Sequence, residues 1–425
     1  MLTNKKVVLC VTGGIAVYKA AELLRNLIKL KSLARVVMTK SSLEFITPLT
    51  FQTLSGNKVV TGLFSLLEES KIGHITLAEW ADIFVIAPAT ANIIGKISSG
   101  IADDILSTTL MATNAPVLIA PAMNSNMYEN RIVQRNINDL KSLGYHFVEP
   151  ASGDLACGRE GAGRLADIGD LIEEIKYILT KKDLLGEEIL VTAGPTTESI
   201  DPIRFISNRS TGKMGYALAR VARRRGANVT LLSGPSTLPI PRGIRFISVV
   251  TASEMRTAVL DNLKHSSIVI KAAAVGDYRF KKAHSQKIKR EKGNLILDLE
   301  STTDIVAEIG KKKGERIHVG FAAETNDLLN NAKKKLLDKN LDLIVANNVC
   351  MEGAGFECDT NIVQILDREG NIQNVPLMSK ADVARKILNR VVEIKKKKLN
   401  GSQRDSLMDL IRQNGESKQS DSGSH

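Results

Sequence analysis

The sequence predicts an α/β protein with two tandem domains, each built on an open and mostly parallel Rossmann-like sheet. The chain has 425 residues, enough for two or three domains that each bury a core. Short apolar runs alternate with helical patterns, which is typical of parallel sheets covered by helices. One pattern occurs twice, at 7–30 and at 189–225: an apolar run breaks at glycine and a helix follows.

Composition and charge favour a soluble protein with anionic partners. The formal net charge of +12 suits nucleic acids or phosphorylated small molecules. Aromatic residues make up only 4% of the chain and the lysines are dispersed or cluster late, at 395–398, so nucleic-acid bases find few stacking partners. The four cysteines form no C-x-x-C pair, which predicts no zinc site or disulfide framework and favours a reducing cytoplasm. Neither a signal peptide nor a membrane span is predicted.

The first half of the chain alternates strands and helices. The predicted strands cover 7–12, 34–39, 82–88, 116–121 and 145–150. The predicted helices cover 16–30, 42–54, 89–97 and 167–179. Because the carboxyl ends of parallel strands meet at one edge of a sheet, where ligands bind, we expect the polar residues that follow these strands to converge.

Three further segments complete the predicted domain organisation. Residues 153–165 contain four glycines and predict a mobile flap. The polar segment 181–188 predicts a boundary, with a first domain at 1–186 and a second at 187–399. Residues 400–425 are polar and rich in serine, glycine and glutamine, which predicts a disordered tail.

The second half repeats the alternation and adds a hairpin. The predicted strands cover 189–193, 228–233, 267–275, 317–323 and 343–347, and the hairpin covers 362–375. The predicted helices cover 212–225, 326–339 and a final stretch that ends near residue 394. Residues 280–292 are basic and poorly patterned, and we expect a flexible loop there.

Candidate ligand residues follow the strands of the first half. Gly13 and Gly14 form either a tight strand–helix turn or part of a phosphate site, since the spaced three-glycine dinucleotide fingerprint is absent. Thr90 and Asn92 either cap a helix or bind an anion. Their expected position on one edge, together with residues 39–41, favours a cofactor that carries phosphate.

Three side chains of the first half could do chemistry. His74, predicted in a loop, is either structural or a base that binds a carboxylate. Asn124 is either a turn former or an amide that holds the substrate. Cys157 is either an inert apolar residue or, within the glycine-rich flap, a proton donor or nucleophile.

The second half offers basic groups. Residues 210–214 do not match the order Gly-x-x-x-x-Gly-Lys-Ser/Thr, so a phosphate loop is absent. Lys287, Lys289 and Arg290 are either a solvated run or a lid over a triphosphate. Lys335 and Lys339 lie four residues apart and either form a solvated face or contact one anion.

Several long motifs resemble one family, the bifunctional bacterial phosphopantothenoylcysteine decarboxylase / phosphopantothenate–cysteine ligases of coenzyme A biosynthesis. Residues 121–127, Pro-Ala-Met-Asn-Ser-Asn-Met, and residues 155–164 resemble the motif and the substrate flap of the flavoprotein cysteine-decarboxylase fold. Residues 201–215, 272–279 and 320–325, together with the lysine loop, resemble the ligase. The resemblance runs from about residue 4 to 395.

For the first half, the resemblance implies an FMN-dependent decarboxylase that converts 4′-phosphopantothenoylcysteine to 4′-phosphopantetheine. The flavin oxidises the cysteinyl thiol to a thioaldehyde, carbon dioxide leaves, and the flavin reduces the resulting enethiolate. By motif, His74 assists binding and decarboxylation, Asn124 holds the substrate and Cys157 donates the final proton. The residues predicted to bind FMN are Gly13, Gly14, Thr39, Ser41, Thr90 and Asn92.

For the second half, the resemblance implies a ligase that joins 4′-phosphopantothenate to L-cysteine. CTP activates the carboxylate as an acyl-cytidylate, with Mg²⁺ expected on the triphosphate and its protein ligands unknown. Lys287 serves formation of that intermediate and Asn208 handles it. The positions matched to CTP contacts are Ala274, Asp277, Lys287, Thr302, Thr303, Asp304, Ile305, Phe321, Lys335 and Lys339. Trimers of the flavin half and dimers of the ligase half are consistent with a homo-oligomer, up to a dodecamer.

Three positions depart from the family pattern, and two other function classes stay open. Tyr128 replaces a tryptophan, Gly276 an alanine and Arg290 a lysine, none of which carries a predicted role. A nicotinamide oxidoreductase would need the missing glycine fingerprint, and a flavin spectrum would distinguish it. A nucleic-acid-binding module would show salt-sensitive binding instead of CTP-dependent release of pyrophosphate.

Overall fold

The chain forms two compact units, Met1–Thr180 and Lys181–His425. This computed structural model describes residues 2–63, 73–154, 160–289, 295–324, 326–348, 355 and 357–416. Each unit contains its own sheet and its own hydrophobic core, so each is described separately.

The first unit is built on a five-stranded sheet whose strands are all parallel. Its strand order is β2-β1-β3-β4-β5, with β1 at Lys6–Val11, β2 at Leu33–Met38, β3 at Ile83–Ala89, β4 at Val117–Pro121 and β5 at His146–Phe147. An antiparallel ribbon follows, β6 at Ala151–Asp154 and β7 at Glu160–Arg164.

Helices connect these strands. They are α1 Val17–Lys29, α2 Pro48–Ser55, α3 Gly73–Trp80, α4 Ala91–Ser98, α5 Ile105–Met111, α6 Ser125–Glu129, α7 Arg131–Ser142 and α8 Ile168–Leu179. A short 3₁₀ turn, Lys40–Ser42, precedes α2. The predicted helix at 42–54 is therefore corrected: the α-helix begins only at Pro48, a residue that suits the first helical position.

The core of the first unit lies on both faces of its sheet. Val7, Leu9 and Val11 of β1 pack with α1, whereas Val8 and Cys10 face the side covered by α4. A strand that is buried on both faces needs apolar residues at every position, which is why β1 is a continuous apolar run. Burial also raises the pKa of the Cys10 thiol, which keeps it protonated and unreactive.

The second unit is built on an eight-stranded sheet of order β12-β11-β8-β13-β16-β17-β18-β19. Its strands are β8 Glu188–Ala193, β11 Asn228–Ser233, β12 Arg245–Ser248, β13 Ile268–Lys271, β16 Ile317–Glu324, β17 Leu343–Asn348, β18 Thr360–Asp367 and β19 Ile372–Ser379. Two small antiparallel pairs join β9 Thr197–Ser199 to β10 Phe205–Ser207, and β14 Tyr278–Phe280 to β15 Leu299–Ser301. Within the main sheet, β18 is antiparallel to both of its neighbours, β17 and β19, and its pairing with β19 confirms the predicted hairpin.

Helices cover both faces of this second sheet. They are α9 Lys213–Arg224, α10 Ala252–Leu263, α11 Ile305–Lys311, α12 Leu328–Asp338 and α13 Lys380–Glu416. One face packs against α9 and α13, and the other packs against α10, α11 and α12. The prediction of two tandem, mostly parallel α/β sheets is confirmed.

The C-terminal segment corrects one expectation. The composition predicts a disordered tail at 400–425, but α13 continues to Glu416, and residues 417–425 lie outside the described residues. Apolar residues at 407, 408, 410 and 411 recur at helical spacing, a signal that the polar composition of the segment obscured. Within the described residues, no helix combines the length and the apolar character that crossing a membrane requires.

Candidate functional sites

The first unit contains a cleft of about 580 Å³ at the carboxyl edge of its sheet. It lies where β1, β3 and β4 end and where α1 and α4 begin. Among the predicted site residues, Gly13, Gly14, Thr90 and Asn124 line it. Lys19 and Arg164 also line it, and sequence reasoning missed both because neither follows a strand of the main sheet. Two cations and two helix N-termini make the cleft suitable for an anionic group.

Gly13 is required by a close approach of two chain segments. A Cβ at this position would lie 2.6 Å from the Cβ of Ser41 and 2.8 Å from the Ser41 carbonyl oxygen. The backbone N–H of Thr39 donates to the carbonyl of Val11, which joins the ends of β2 and β1. At Gly14, by contrast, an added Cβ would meet no atom within 4 Å. Gly13 therefore serves packing, whereas Gly14 leaves space beside the cleft.

Thr90 fixes the start of α4. Its hydroxyl accepts a hydrogen bond from the N–H of Ile93 at 3.4 Å, as an N-cap does. Thr12 joins the same corner, because its buried hydroxyl donates to the Pro88 carbonyl at 2.7 Å and accepts from the Thr90 N–H at 3.2 Å. Asn92 is exposed in the first turn of α4. Capping and anion binding are thus compatible at this corner.

Asn124 caps α6 after β4. Its side-chain oxygen accepts from the N–H of Asn126 at 2.9 Å, which bears out the turn-forming alternative for that atom. The side chain also borders the cleft, so a substrate-holding role stays a prediction.

The glycine-rich segment is packed where the structure describes it. The N–H of Met123 donates to the Gly163 carbonyl at 3.0 Å. A Cβ on Gly163 would lie 2.2 Å from the Met123 carbonyl oxygen, and one on Gly161 would lie 3.1 Å from the Ser125 Cβ. In β7 these glycines permit close contact with the α6 corner, and the mobile flap at 153–165 stays a prediction. Cys157 lies outside the described residues.

His74 lies in the first turn of α3 and not in a loop, which corrects the prediction. The helix begins at Gly73 and buries Leu77 and Ala78, and Leu77 packs in the core beside the sheet. Its Nδ1 is buried without a hydrogen-bond partner among the described residues. His74 is not among the residues that line the cleft.

In the second unit, glycines bring three chain segments together at the end of β8. A Cβ on Gly215 would lie 2.5 Å from the Ala193 Cβ, so α9 packs directly on the strand. A Cβ on Gly234 would lie 1.7 Å from the Pro195 carbonyl oxygen. Gly212, with φ of +81°, begins α9 in the left-handed region that glycine favours. These contacts form one side of the candidate site of the second unit, which lies at the carboxyl end of β8; we call them the floor of that site.

Asn208 connects this floor to the segment that follows β13. Its side-chain NH₂ donates to the carbonyls of Ala274 and Val275, at 3.0 and 3.2 Å. The N–H of Ala274 in turn donates to the Gly194 carbonyl at 2.9 Å. Two predicted site residues that are distant in sequence are thus in direct contact.

Asp277 and residues 302–305 form the next part of the same edge. The Thr302 N–H donates to the Asp277 carbonyl at 2.9 Å, and its hydroxyl donates to the Gly276 carbonyl at 2.6 Å. Asp304 caps α11 by accepting from the Ala307 N–H at 3.0 Å. Thr303 is exposed between them, and Ile305 is buried as the first residue of α11.

Lys335 and Lys339 converge on this edge from α12. Lys335 donates to the Phe321 carbonyl at 2.8 Å, and Lys339 pairs with Asp304 at 2.8 Å. Burial, reinforced by the charge of Lys339, lowers the pKa of Lys335 below its ordinary value. The alternative of a solvated basic face is therefore wrong, because both amines are engaged and close to the predicted nucleotide positions.

Lys287 is exposed on a segment that Asp201 anchors. The Asp201 carboxylate accepts from the N–H groups of Ile203 and Arg204, at 2.9 and 2.8 Å, and from the Ile288 N–H at 3.2 Å. The guanidinium of Arg204 pairs with the carboxylate and donates to the Ile288 carbonyl at 2.9 Å. These bonds, above all those from Arg204, lower the pKa of Asp201.

Sequence reasoning did not assign Asp201 and Arg204 this anchoring function. Their position in the motif Asp-Pro-Ile-Arg was visible, but their contact with a segment more than 80 residues later was not. For the metal, no cluster of three or more His, Cys, Asp or Glu side chains suited to an ion occurs among the described residues.

Comparison with known proteins covers both units. Residues 1–180 match the Flavoprotein family, and residues 184–394 match the family described as the DNA/pantothenate metabolism flavoprotein C-terminal domain. The Coenzyme A biosynthesis bifunctional protein CoaBC of Bacillus subtilis (strain 168) is 51% identical over 400 residues, which are 93% of this chain and 98% of that protein.

A second curated relative and a solved structure are also similar to this chain. The protein of the same name from Escherichia coli (strain K12) is 42% identical over 396 residues, which are 92% of this chain and 97% of that protein. A crystal structure of the C-terminal domain of a CoaBC protein is 40% identical, covers 51% of this chain and all of its own, and has a TM-score of 0.45.

Proposed function

This chain belongs to the family of bifunctional coenzyme A biosynthesis proteins, with decarboxylase and ligase activities, and from that membership we propose how its two units divide the work. The second unit ligates 4′-phosphopantothenate to L-cysteine at the expense of CTP. The first unit then decarboxylates the 4′-phosphopantothenoylcysteine to 4′-phosphopantetheine with FMN. The observation that carries this division is that each unit has its own cluster of candidate residues at the carboxyl edge of its own sheet.

The cleft of the first unit fits FMN. Its volume of about 580 Å³ is in the range of cofactor sites, and its lining combines small residues with the N-termini of α1 and α4. Gly13, Gly14, Thr90 and Lys19 would hold the phosphate and ribityl end, because they surround those N-termini. Thr39, Ser41 and Asn92 complete the same edge. FMN supplies the oxidation and re-reduction of the substrate thiol carbon when it is bound.

Residues of the first unit orient the substrate and move protons. Asn124 borders the cleft and would hold the cysteinyl carboxylate or amide through its own amide. Cys157 would protonate the enethiolate carbon in the final reduction. His74 assists binding and decarboxylation. Because it is absent from the cleft lining, we expect it to act from the neighbouring copy in an oligomer.

The second unit would activate a carboxylate with CTP. Asp277, Phe321, Lys335 and Lys339 converge beside the loop that Asn208 fixes, and two lysines suit a triphosphate. Ala274 and residues 302–305 complete this nucleotide site. Lys287, on the segment held by Asp201, would neutralise charge as pyrophosphate leaves. The cysteine amine then attacks the acyl-cytidylate, and Mg²⁺ accompanies the triphosphate.

The full chain tests this proposal directly. It is incubated with 4′-phosphopantothenate, L-cysteine, CTP, Mg²⁺ and FMN, and the products are followed by mass spectrometry. We expect 4′-phosphopantetheine, carbon dioxide, CMP and pyrophosphate, together with a yellow protein that has a flavin spectrum. Omission of CTP should prevent formation of all four compounds, whereas addition of preformed 4′-phosphopantothenoylcysteine should restore carbon dioxide release without CTP.

Two results would count against the proposal. Absence of 4′-phosphopantetheine with all components present would refute the bifunctional assignment. A protein that binds a nicotinamide cofactor in place of flavin would refute the assignment of the first unit.

The oligomeric state and the cytoplasmic location are also proposals. Trimerisation of the first unit and dimerisation of the second would yield a dodecamer, which light scattering of the holoprotein can measure. Cell fractionation tests the location.

A further inference from the structure

Lys271 carries a buried amine beside the proposed nucleotide site, and none of the predicted roles involves it. It is the last residue of β13, three residues before Ala274, and its exposed fraction is 5%. Its side chain emerges on the same face as Val269, which packs with Ile305 and Ile309 of α11. Sequence reasoning missed it, because it lay inside a predicted strand.

The Lys271 amine has no hydrogen-bond partner among the described residues. Its neighbours in the parallel register are Thr192 on β8 and Gly320 on β16. The hydroxyl of Thr192 already accepts from the Ala273 N–H at 3.2 Å, and Gly320 has no side chain. A buried polar group without a partner is costly, so its presence at the end of a central strand requires an explanation.

Asp304 is the N-cap of α11, the helix whose first residue, Ile305, packs with Val269 two residues before Lys271. Burial lowers the pKa of Lys271 to about 7, and the Asp304 carboxylate opposes that shift. The same carboxylate caps α11 and pairs with Lys339 at 2.8 Å. Asp304 therefore lies within the electrostatic reach of two lysines, of which Lys339 holds it directly.

We propose that Lys271 is a positioning residue that stabilises the Asp304 carboxylate when Lys339 leaves it to bind the phosphates of the nucleotide. This inference rests on the proposed function of the second unit, in which Lys339 contacts CTP. Without Lys271, the departure of Lys339 would leave a carboxylate uncompensated next to an incoming triphosphate. With Lys271, the charge of Asp304 remains balanced, and Lys339 is available to the ligand.

The exchange of partners can be tested with a double-mutant cycle on the full chain. CTP with Mg²⁺ is titrated by calorimetry into wild type, Lys271→Met, Asp304→Asn and the double variant. Asparagine still caps a helix but carries no charge, so Asp304→Asn removes the group on which Lys271 acts while it preserves α11. We expect Lys271→Met to weaken CTP binding about tenfold in the wild-type background and to have little further effect in the Asp304→Asn background.

Kinetics separate this role from a merely structural one. Lys271→Met should raise the KM for CTP with little change in kcat. It should leave the decarboxylase activity intact and should not lower the thermal midpoint of the chain, because it removes a buried amine that has no hydrogen-bond partner among the described residues. Lys313→Met is a matched control: Lys313 is also buried, but it pairs with Asp342 at 2.8 Å and has no proposed contact with nucleotide. The Lys313→Met variant should bind CTP with the same affinity as the wild type.

Three outcomes overturn the inference. CTP affinity unchanged by Lys271→Met would show that the amine does not matter for binding. An equal loss in both backgrounds would show that Lys271 acts by packing and not through Asp304. A wild-type chain that does not bind CTP would overturn the proposed function itself, and the partner exchange with it.

Discussion

His318 illustrates how one residue can make stability depend on pH. It lies in β16 with an exposed fraction of 1%, and neither ring nitrogen has a hydrogen-bond partner among the described residues. Burial, supported by the charge of Lys313, lowers its pKa from 6.5 to about 4. Between these two values the unfolded chain binds a proton that the folded chain does not.

We therefore expect the second unit to lose stability as the pH falls from about 6.5 to 4. His318 contributes up to about 3 kcal/mol to the free energy of unfolding. This contribution is fully present above pH 6.5 and is lost as the pH falls towards the pKa of His318 in the folded chain. Denaturant unfolding across this window measures the effect. His318→Leu should flatten the profile, whereas His265→Gln, at an exposed position of the same unit, should keep it. Identical slopes in wild type and His318→Leu would exclude His318 as the cause.

The proposed role of the Cys157 thiol as proton donor can be tested by substitution. If its thiol supplies the final proton, Cys157→Ser should still release carbon dioxide but should accumulate the oxidised product, two hydrogens lighter than 4′-phosphopantetheine. Mass spectrometry distinguishes the two compounds. Cys358→Ser, a half-buried cysteine of the other unit, is the control and should yield normal product. Normal product at a normal rate from Cys157→Ser would assign the proton to another group.

At the level of elements, the first site depends on how closely the ends of β1 and β2 approach each other. Gly13→Ala should lower the unfolding free energy of the first unit by about 1–3 kcal/mol, since the methyl group would overlap Ser41. Gly14→Ala is the matched control, because its methyl group meets open space, and it should leave the apo unit as stable as wild type. Equal stabilities of the two variants would contradict the close approach.

Strands and their order along the chain were predictable, whereas contacts between distant segments were not. A strand such as β1 is buried on both faces and is therefore visible as an apolar run. The positions of Thr90, Asn124 and Asp277 followed from the rule that ligands bind where parallel strands end. The helix α10 was not predicted, because only a narrow row of its residues is buried.

The packing of glycines needed the structure. The sequence shows that Gly161 and Gly163 lack side chains, but only the fold shows that Ser125 and Met123 occupy the space beside them. Lys271 was hidden for a related reason: its burial depends on α11, which lies more than 30 residues further along the chain. Such features depend on which segments meet and not on local pattern.

For the whole molecule, the two units imply that the reactions can be separated genetically. Lys287→Ala should abolish ligation but still convert preformed 4′-phosphopantothenoylcysteine to 4′-phosphopantetheine. Cys157→Ser should retain ligation and the release of carbon dioxide but should not complete the final reduction. Because the shared intermediate is a small molecule, a mixture of the two variant proteins should make 4′-phosphopantetheine from 4′-phosphopantothenate, L-cysteine and CTP. The amount of 4′-phosphopantetheine formed by the mixture is compared with the amount formed by each variant protein alone. A mixture as inactive as its components would indicate obligatory transfer within one chain.

One backbone contact connects two parts of the first unit that the proposed chemistry uses. The N–H of Met123, the residue before Asn124, donates to the Gly163 carbonyl of β7. A Cβ on Gly163 would lie 2.2 Å from the Met123 carbonyl oxygen, so the two segments leave no room for a side chain between them. The substrate-holding amide and the β6–β7 ribbon therefore share one support, and a substitution that separates them would disturb both at once.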